Sequence, residues 1–377
     1  MSVSRERVCE AGARRLAEAG PSLSGRRAVV GLDGFVDEII AVVDKRYSDE
    51  SYDAVRSIGA LAEKIRNAAG ESSNYELVVK QQKLGGNGPI MANALACLGL
   101  EVTYVGSLGY PSLHPVFEEF AKRAHVISIA EPGHTDALEF DDGKIMLGKH
   151  GTLNDVNWDN LVSRVGRAEL SRLFEGADLI GLVNWTMLPQ MSRIWSKLLD
   201  EVFTAGRRRA VTLFIDLADP EKRTPEDILG ALDVLSRFQG RLDVILGLNL
   251  KEAMEIAAVL GMPERDDPES AIEAMAAAIR REVALACVVI HPRRAAAAAT
   301  ATESAWFAGP FVQHPLISTG AGDHFNAGFC TGRILGLSLV ESLCTGVATS
   351  GYYVRTARSP SVAQLAEFIA AMPPPQA

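Results

Sequence analysis

Short runs of β-branched and other apolar residues recur along this chain, each beside an amphipathic stretch, and that alternation constrains the fold more than any other feature. The runs are Ala28 to Asp33, Val102 to Gly106, Leu179 to Val183, Val211 to Asp216, Val244 to Leu248 and Cys287 to His291. Such alternation builds βαβ units and a largely parallel sheet. Several runs are apolar at nearly every position, as strands covered by helices on both faces must be. The expectation is a three-layer α/β/α domain. With 377 residues, 47% of them apolar and 23% charged, the chain can fill one such core and still carry an appendage.

Two segments break the rhythm. Tyr75 to Lys83 alternates like a half-exposed strand, and Ala137 to Lys149 carries Asp142-Gly143 between Leu138 to Phe140 and Ile145 to Leu147, a hairpin signal. Together they are expected to form a small antiparallel flap over the main sheet. Near the C-terminus a hairpin-like pair around Ala296 to Phe307 precedes a glycine turn and two helices, roughly Gly322 to Leu335 and Leu339 to Tyr353. Met1 to Gly20 reads as an amphipathic helix. The Pro-rich end is expected to fray.

Charge and cysteine usage narrow the function classes. Lys plus Arg number 38 against 47 Asp plus Glu, a net charge of -9 without a sustained basic block, so nucleic acid is a poor partner. Cys9, Cys97, Cys287, Cys330 and Cys344 lie far apart with no Cys-x-x-Cys spacing, which suits a reducing cytoplasm. The charged first twenty residues lack the apolar stretch of a secretory signal, and no window approaches the ~18 consecutive apolar residues of a membrane span. The histidines show no metal-ligand spacing.

Four segments could carry chemistry. In Ile317-Ser318-Thr319-Gly320-Ala321-Gly322-Asp323, a Gly-x-Gly-Asp turn opens a helix, leaving the amides of Ala321, Gly322 and Asp323 to face an anion, and Asp323 to accept a proton from an attacking hydroxyl. The plain alternative is a tight loop with a first-turn acid. Gly85-Gly86-Asn87 lies between a strand end and a small-residue helix, where backbone and amide could grip hydroxyls. Asp33 and Asp37 follow the first strand, at the end where open α/β sheets bind ligands, although Asp33 could equally cap a helix. Asn249 and Glu252 read as a capping box or, functionally, as a pair that positions Mg2+ and its waters. No Walker loop or dinucleotide fingerprint occurs.

In this order and at these separations, Gly85-Gly86, Asn249-x-x-Glu252 and Gly320-Ala321-Gly322-Asp323 resemble the ribokinase or PfkB family of carbohydrate kinases over about residues 27 to 365. The resemblance implies a mostly parallel sheet with a small β-sheet lid, an N-terminal helical extension over 1–26, a kinase domain over 27–365 with lid strands from about 75–83 and 137–149, and a tail over 366–377. It implies ATP as phosphoryl donor, Mg2+, and a sugar or nucleoside acceptor. Asp323 is then the catalytic base and Gly320, Ala321 and Gly322 the anion hole. Asn249 and Glu252 serve Mg2+ and phosphate; Asp37, Asp33, Gly85, Gly86 and Asn87 serve the acceptor. His291 and Arg293, at the nucleotide-side loop, are candidate nucleotide contacts. The departures are Ile317-Ser318 where an Asp-Thr pair is common, Ile90 where the glycine turn usually has an Asn, and His291-Pro292-Arg293-Arg294 in place of Thr-x-Gly-x-x-Gly. Gly-Gly-x-x-x-Ile-x-Ala-Asn is also similar to ADP-dependent sugar kinases, so ADP stays an alternative donor. A catalytically silent sugar or nucleotide sensor and a hydrolase are the rivals from other classes. The exposed lid edge suggests a homodimer.

Overall fold

The computed structural model describes residues 4–204, 211–264 and 266–375. Its strands are β1 (Arg27–Gly31), β2 (Phe35–Arg46), β3 (Tyr52–Ala54), β4 (Leu77–Gly85), β5 (Glu101–Gly106), β6 (His125–Ser128), β7 (Gly133–Phe140), β8 (Gly143–Lys149), β9 (Leu179–Val183), β10 (Thr212–Asp216), β11 (Asp243–Leu248), β12 (Cys287–Ile290), β13 (Ala295–Thr300) and β14 (Ser304–Ala308). The large sheet runs β14-β13-β12-β11-β10-β9-β1-β5-β6. From β6 to β12 it is parallel, and the antiparallel hairpin β13–β14 closes one edge.

Successive residues of these strands feed opposite sides of the sheet. Leu213 and Ile215 join the apolar cluster on one face and Phe214 the cluster on the other; Val29 and its neighbours Ala28 and Val30 divide the same way. Both clusters are covered by helices, which explains why the runs have no polar phase. The helix Arg5–Ala19 buries Val8, Cys9, Ala13 and Leu16 in the second cluster. It therefore shares the main core. Likewise the helix Val362–Ala370 runs through the expected boundary at 365, and Ile369 and Met372 beyond it are buried.

The smaller sheet runs β3-β2-β7-β8, with β4 also paired to β2. Its central member, β2, corrects the sequence reading, which ended the first strand at Asp33 and gave 35–46 no strand. Phe35 through Val42 are largely buried, but the half-buried Asp37 and Glu38 interrupt the run. β2 pairs antiparallel with β4 and parallel with β7, so the small sheet is mixed and not purely antiparallel. Asp141-Asp142 makes the turn between β7 and β8, one residue before the expected pair, with Phe140 opposite Gly143. Its own core is small: Ile40, Val42, Val55, Leu61, Leu138 and Phe140, with the helix Ile58–Asn67 against it. Among the described residues no helix is long and apolar enough to cross a membrane.

Candidate active site

Each central strand of the large sheet hands over to a polar residue at its C-terminal end: Asp33 after β1, Asn184 after β9, Asp216 closing β10, Asn249 after β11 and His291 after β12. Ligands of parallel sheets bind beyond this edge. Here it borders a cleft of about 930 Å³ lined by Asn184, Asp216, Asn249 and His291 together with the start of the helix Ala321–Ile334. The small sheet overhangs one end, contributing Phe35, Asp37, Thr135, Met146 and Gly148.

Asp323 occupies the third position of the helix Ala321–Ile334 and is 6% exposed. Its Oδ1 accepts a hydrogen bond from Asn87 Nδ2 at 3.0 Å, and its Oδ2 accepts none from any described residue. Burial first, and then the charge of Asp216, holds this carboxyl well above the usual carboxylate range; the Asn87 bond opposes them. Gly320 caps the helix at φ 89°, a conformation L side chains rarely adopt, and a Cβ there would press on Ile90 and the Tyr353 hydroxyl at 3.2 Å. The turn offers fewer amides than expected. Ala321 N–H donates to the Ser318 carbonyl at 3.2 Å because the turn closes on itself, which leaves Gly322 and Asp323 N–H unpartnered among the described residues.

Two further carboxyls lie across the cleft. Asn249 and Glu252 form the full capping box: Asn249 Oδ1 accepts from Glu252 N–H at 3.0 Å, and Glu252 Oε2 accepts from Asn249 N–H at 2.8 Å. Glu252 Oε1 accepts from Asp219 N–H at 3.0 Å, so this acid also ties the loop after β10 to the helix Leu250–Val259. Burial and the charge of Asp216 raise Glu252 to about 8. Asp216 is raised to about 6 by burial; its Oδ1 accepts from Ala218 N–H at 2.9 Å and its Oδ2 from Asn326 Nδ2 at 2.8 Å. Asp216 and Asn326 were missed by motif reading. The available signal was positional, a carboxylate closing a central parallel strand. Among the described residues no three acidic, histidine or cysteine side chains converge to hold a metal ion unaided.

On the acceptor side the structure separates the expected residues. Asp37, Gly86 and Asn87 line the cleft, whereas Asp33 and Gly85 do not. Asp33 is fully buried, with Oδ1 accepting from Gly88 N–H at 2.9 Å and Oδ2 from Asn87 N–H at 2.9 Å and Asn184 Nδ2 at 2.7 Å. It caps the N-terminus of the helix Asn87–Cys97, far along the chain, and its lone pairs are spent there. The assignment of Asp33 as a substrate contact is corrected accordingly. Gly85 works by absence: a Cβ there would lie 2.5 Å from the Asp37 carboxyl, which rests on the bare backbone. Burial raises Asp37, opposed by a bond from Thr135 and by Lys144 and Lys83.

At the other end, Arg293, Pro310, Phe311, Val312, Val347 and Val354 form a wall with an apolar stripe and a cationic rim. His291 stacks on Phe325 at 4.5 Å, its Nε2 is buried without a partner, and burial lowers it to about 4, so it stays a neutral ring behind Gly322.

A family model described as "Prokaryotic ketohexokinase" matches residues 5–372. A ketohexokinase of Haloferax volcanii is 31% identical over 351 residues, covering 92% of this chain and 91% of that one. The ribokinase of Arabidopsis thaliana, solved with ribose and ATP, superposes with a TM-score of 0.61 at 17% identity over 91% of this chain and 98% of that one. The ribokinase of Cryptococcus neoformans var. grubii, solved with ADP, gives 0.61 at 16% over 91% and 99%. The three-layer sandwich and its overhanging small sheet are the ribokinase-like fold, and a match along nearly the whole chain makes this protein a carbohydrate kinase of the prokaryotic ketohexokinase family within the ribokinase/PfkB group.

Proposed function

We propose that this kinase transfers the terminal phosphoryl group of ATP to a hydroxyl of a ketohexose, with Asp323 as general base. The observation that carries the reading is the position of Asp323: a carboxyl with one oxygen held by Asn87 and the other unbonded, on the floor of the cleft beside two unpartnered amides. Ketohexose as acceptor is supported by the names of the matching family and the Haloferax relative, and ATP by the Arabidopsis ribokinase complex. The Cryptococcus enzyme was solved with ADP, the other nucleotide considered as donor, which is why both enter the test.

The acceptor lies between Asp37, Gly86 and Asn87 on one side and Asp323 on the other; the nucleotide extends toward Arg293 and the Phe311 wall, past His291. Asp323 Oδ2 takes the hydroxyl proton as the oxygen bonds to phosphorus and the bond from phosphorus to the donor's bridging oxygen breaks. Its elevated proton affinity makes it a stronger base than an exposed carboxylate. Gly322 and Asp323 N–H, with Gly320 allowing close approach, bind the charge that develops on the phosphoryl oxygens. The small sheet acts as a lid that keeps water out.

Asp216, Glu252 and Asn249 would suit a Mg2+ carried by the nucleotide phosphates and water, because two buried acids, one of them raised further by the other's charge, are relieved by a cation. Each Glu252 oxygen already accepts one amide, and the acid would serve the ion through its waters. When bound, the ion neutralises phosphate charge in transfer. The free edge strand β8 and the exposed Leu77, Val79 and Leu147 point to a homodimer through the lid. The free cysteines agree with a reducing cytoplasm.

The test is a coupled assay with ATP and ADP separately against ketohexoses, aldohexoses, pentoses and nucleosides. ATP-dependent turnover of a ketohexose is expected, falling about 10²- to 10⁴-fold in kcat in Asp323→Asn. Normal turnover in that variant removes Asp323 as base; turnover with nucleosides alone removes the acceptor assignment.

A further inference from the structure

A second cavity, about 820 Å³, adjoins the active-site cleft, and Asp37, Ile90, Met146, Pro315, Ser318 and Thr319 border both. Of the residues given a part in the proposed transfer, Asp37 alone reaches it. Its lining brings together Lys83 from β4, Arg123 after the helix Glu118–Ala121 and Arg358 after the helix Leu339–Thr356. No ion pair to Asp or Glu holds any of the three among the described residues. The fourth cation, Lys144, pairs with Glu139 at 3.3 Å, and Asp37 is the remaining acid on the wall. The chain as a whole carries -9, so four cations against two acids around one cavity, with Lys83 opposite Asp37 across the strands, run against its general balance.

The back wall is the scaffold of the anion-binding turn. Tyr353 Oη donates to the Thr319 carbonyl at 3.0 Å, and the Tyr353 ring stacks on His324 at 3.6 Å. The His324 imidazole spans Gly320 O and Ser359 Oγ, 2.8 Å from each, and Asn93 Nδ2 donates to the same Ser359 Oγ at 3.2 Å. Since the carbonyl can only accept, His324 Nδ1 carries the proton and Nε2 accepts from the serine. Tyr353, His324, Ser359 and Asn93 all line the second cavity. A ligand there touches the same groups that hold Thr319 and Gly320 in place.

We infer that this cavity is a second binding site, for a phosphate monoester of sugar size, and that its occupant alters turnover through Tyr353 and His324. Lys83, Arg123 and Arg358 would receive the phosphate, since guanidinium and ammonium donors match its oxygens in charge and geometry. The hydroxyls and amide of Ser359, Ser318 and Asn93 suit a polyol. A volume of this size accommodates a hexose monophosphate with room for water. Coupling needs no distant pathway: one wall is common to both sites, and the bonds of Tyr353 and His324 to Thr319 and Gly320 connect them.

The experiment is calorimetric titration of the full chain with a hexose monophosphate and, separately, with inorganic phosphate, in Asp323→Asn as well as the unsubstituted protein. This readout needs no turnover, so it stands whatever the assay for ketohexose phosphorylation gives. The ester is expected to bind Asp323→Asn in the presence of saturating ketohexose and ATP, and the unsubstituted protein in the presence of saturating ketohexose alone, and to bind roughly tenfold more weakly to an Arg123→Ala/Arg358→Ala variant, whose melting and basal activity match the parent because both residues are exposed. In the steady state the ester should change kcat or KM saturably, and Tyr353→Phe should weaken that change while leaving binding intact. Equal binding by the double variant, full competition with ketohexose or ATP, or an ester that binds no better than inorganic phosphate would each overturn the site. An undiminished effect on turnover in Tyr353→Phe would overturn the coupling.

Discussion

Where the large sheet ends, its carboxylates are buried and bonded; where the small sheet overhangs, they pair with lysines in solvent. Asp33 is fully buried, spending its oxygens on two backbone amides and Asn184, and Asp216 answers Ala218 and Asn326. In the small sheet Lys149 meets Asp136 at 2.8 Å and Lys144 meets Glu139 at 3.3 Å, each pair with one side chain open to water and the other partly covered. Exposed pairs contribute ~0–1 kcal/mol each, whereas breaking a buried, bonded carboxylate costs several times that. The difference separates labour. The floor is over-determined, as in-line transfer needs, while the small sheet can vary its surface and hence its acceptor without disturbing the chemistry.

The sharpest way to break the comparison is to exchange the two aspartates' fates. Asp323→Asn should remove about 10²- to 10⁴-fold of kcat while leaving the melting temperature unchanged. Asp33→Ala should do the reverse in kind, costing about 3 kcal/mol of stability, read as a lowered melting temperature, by orphaning Asn87 and Gly88 N–H. If Asp33→Ala melts like the parent and loses activity instead, the two ends of the floor are not distinct.

A smaller effect sharpens the electrostatic side. Glu252 is raised to about 8 and Asp216 to about 6, so the folded state binds protons more tightly than the unfolded chain. Their stabilisation is fully present below the ordinary carboxylate range and is lost as pH rises toward 8. Melting without divalent cation should therefore fall between pH 5 and pH 8.5, by on the order of 3 °C, and Mg2+ should raise it more at pH 8.5 than at pH 5. An equal Mg2+ effect at both pH values counts against the cation lying near these acids. The smallest change is expected from Leu147→Lys on the exposed β8. It should leave kcat and melting within error and move sedimentation from dimer to monomer; an unaltered sedimentation coefficient rejects the lid interface.

The central strands were legible because burial on both faces leaves a continuous apolar run, and Asp323 because glycine, helix start and acid sit in one short stretch. β2 was not, because Asp37 and Glu38 interrupt a run that continues to Val42, and Asp33-Gly34 invites a turn. Asp33 illustrates a general obstacle: its partners Gly88 and Asn184 are 55 and 151 residues away, so no local spacing distinguishes a substrate contact from a remote helix cap. Asp216 and Asn326 are 110 residues apart and meet only in three dimensions.

The small sheet leaves the large one through Leu32 to Gly34, between β1 and β2, and returns through Gly86, between β4 and the helix Asn87–Cys97; a second pair of crossings runs through 129–132, between β6 and β7, and through His150 after β8. The carboxyl of Asp33 bonds across both crossings of the first pair. A joint tied in this way transmits force instead of absorbing it, so this pair of crossings is a stiff root for the small sheet. The nearest place to flex is the register shift between Ile39 and Ile40, where β2 slips against β4. Any closing stroke would then swing the outer part of the small sheet while Asp37, on the inner side of that slip, keeps its station at the cleft.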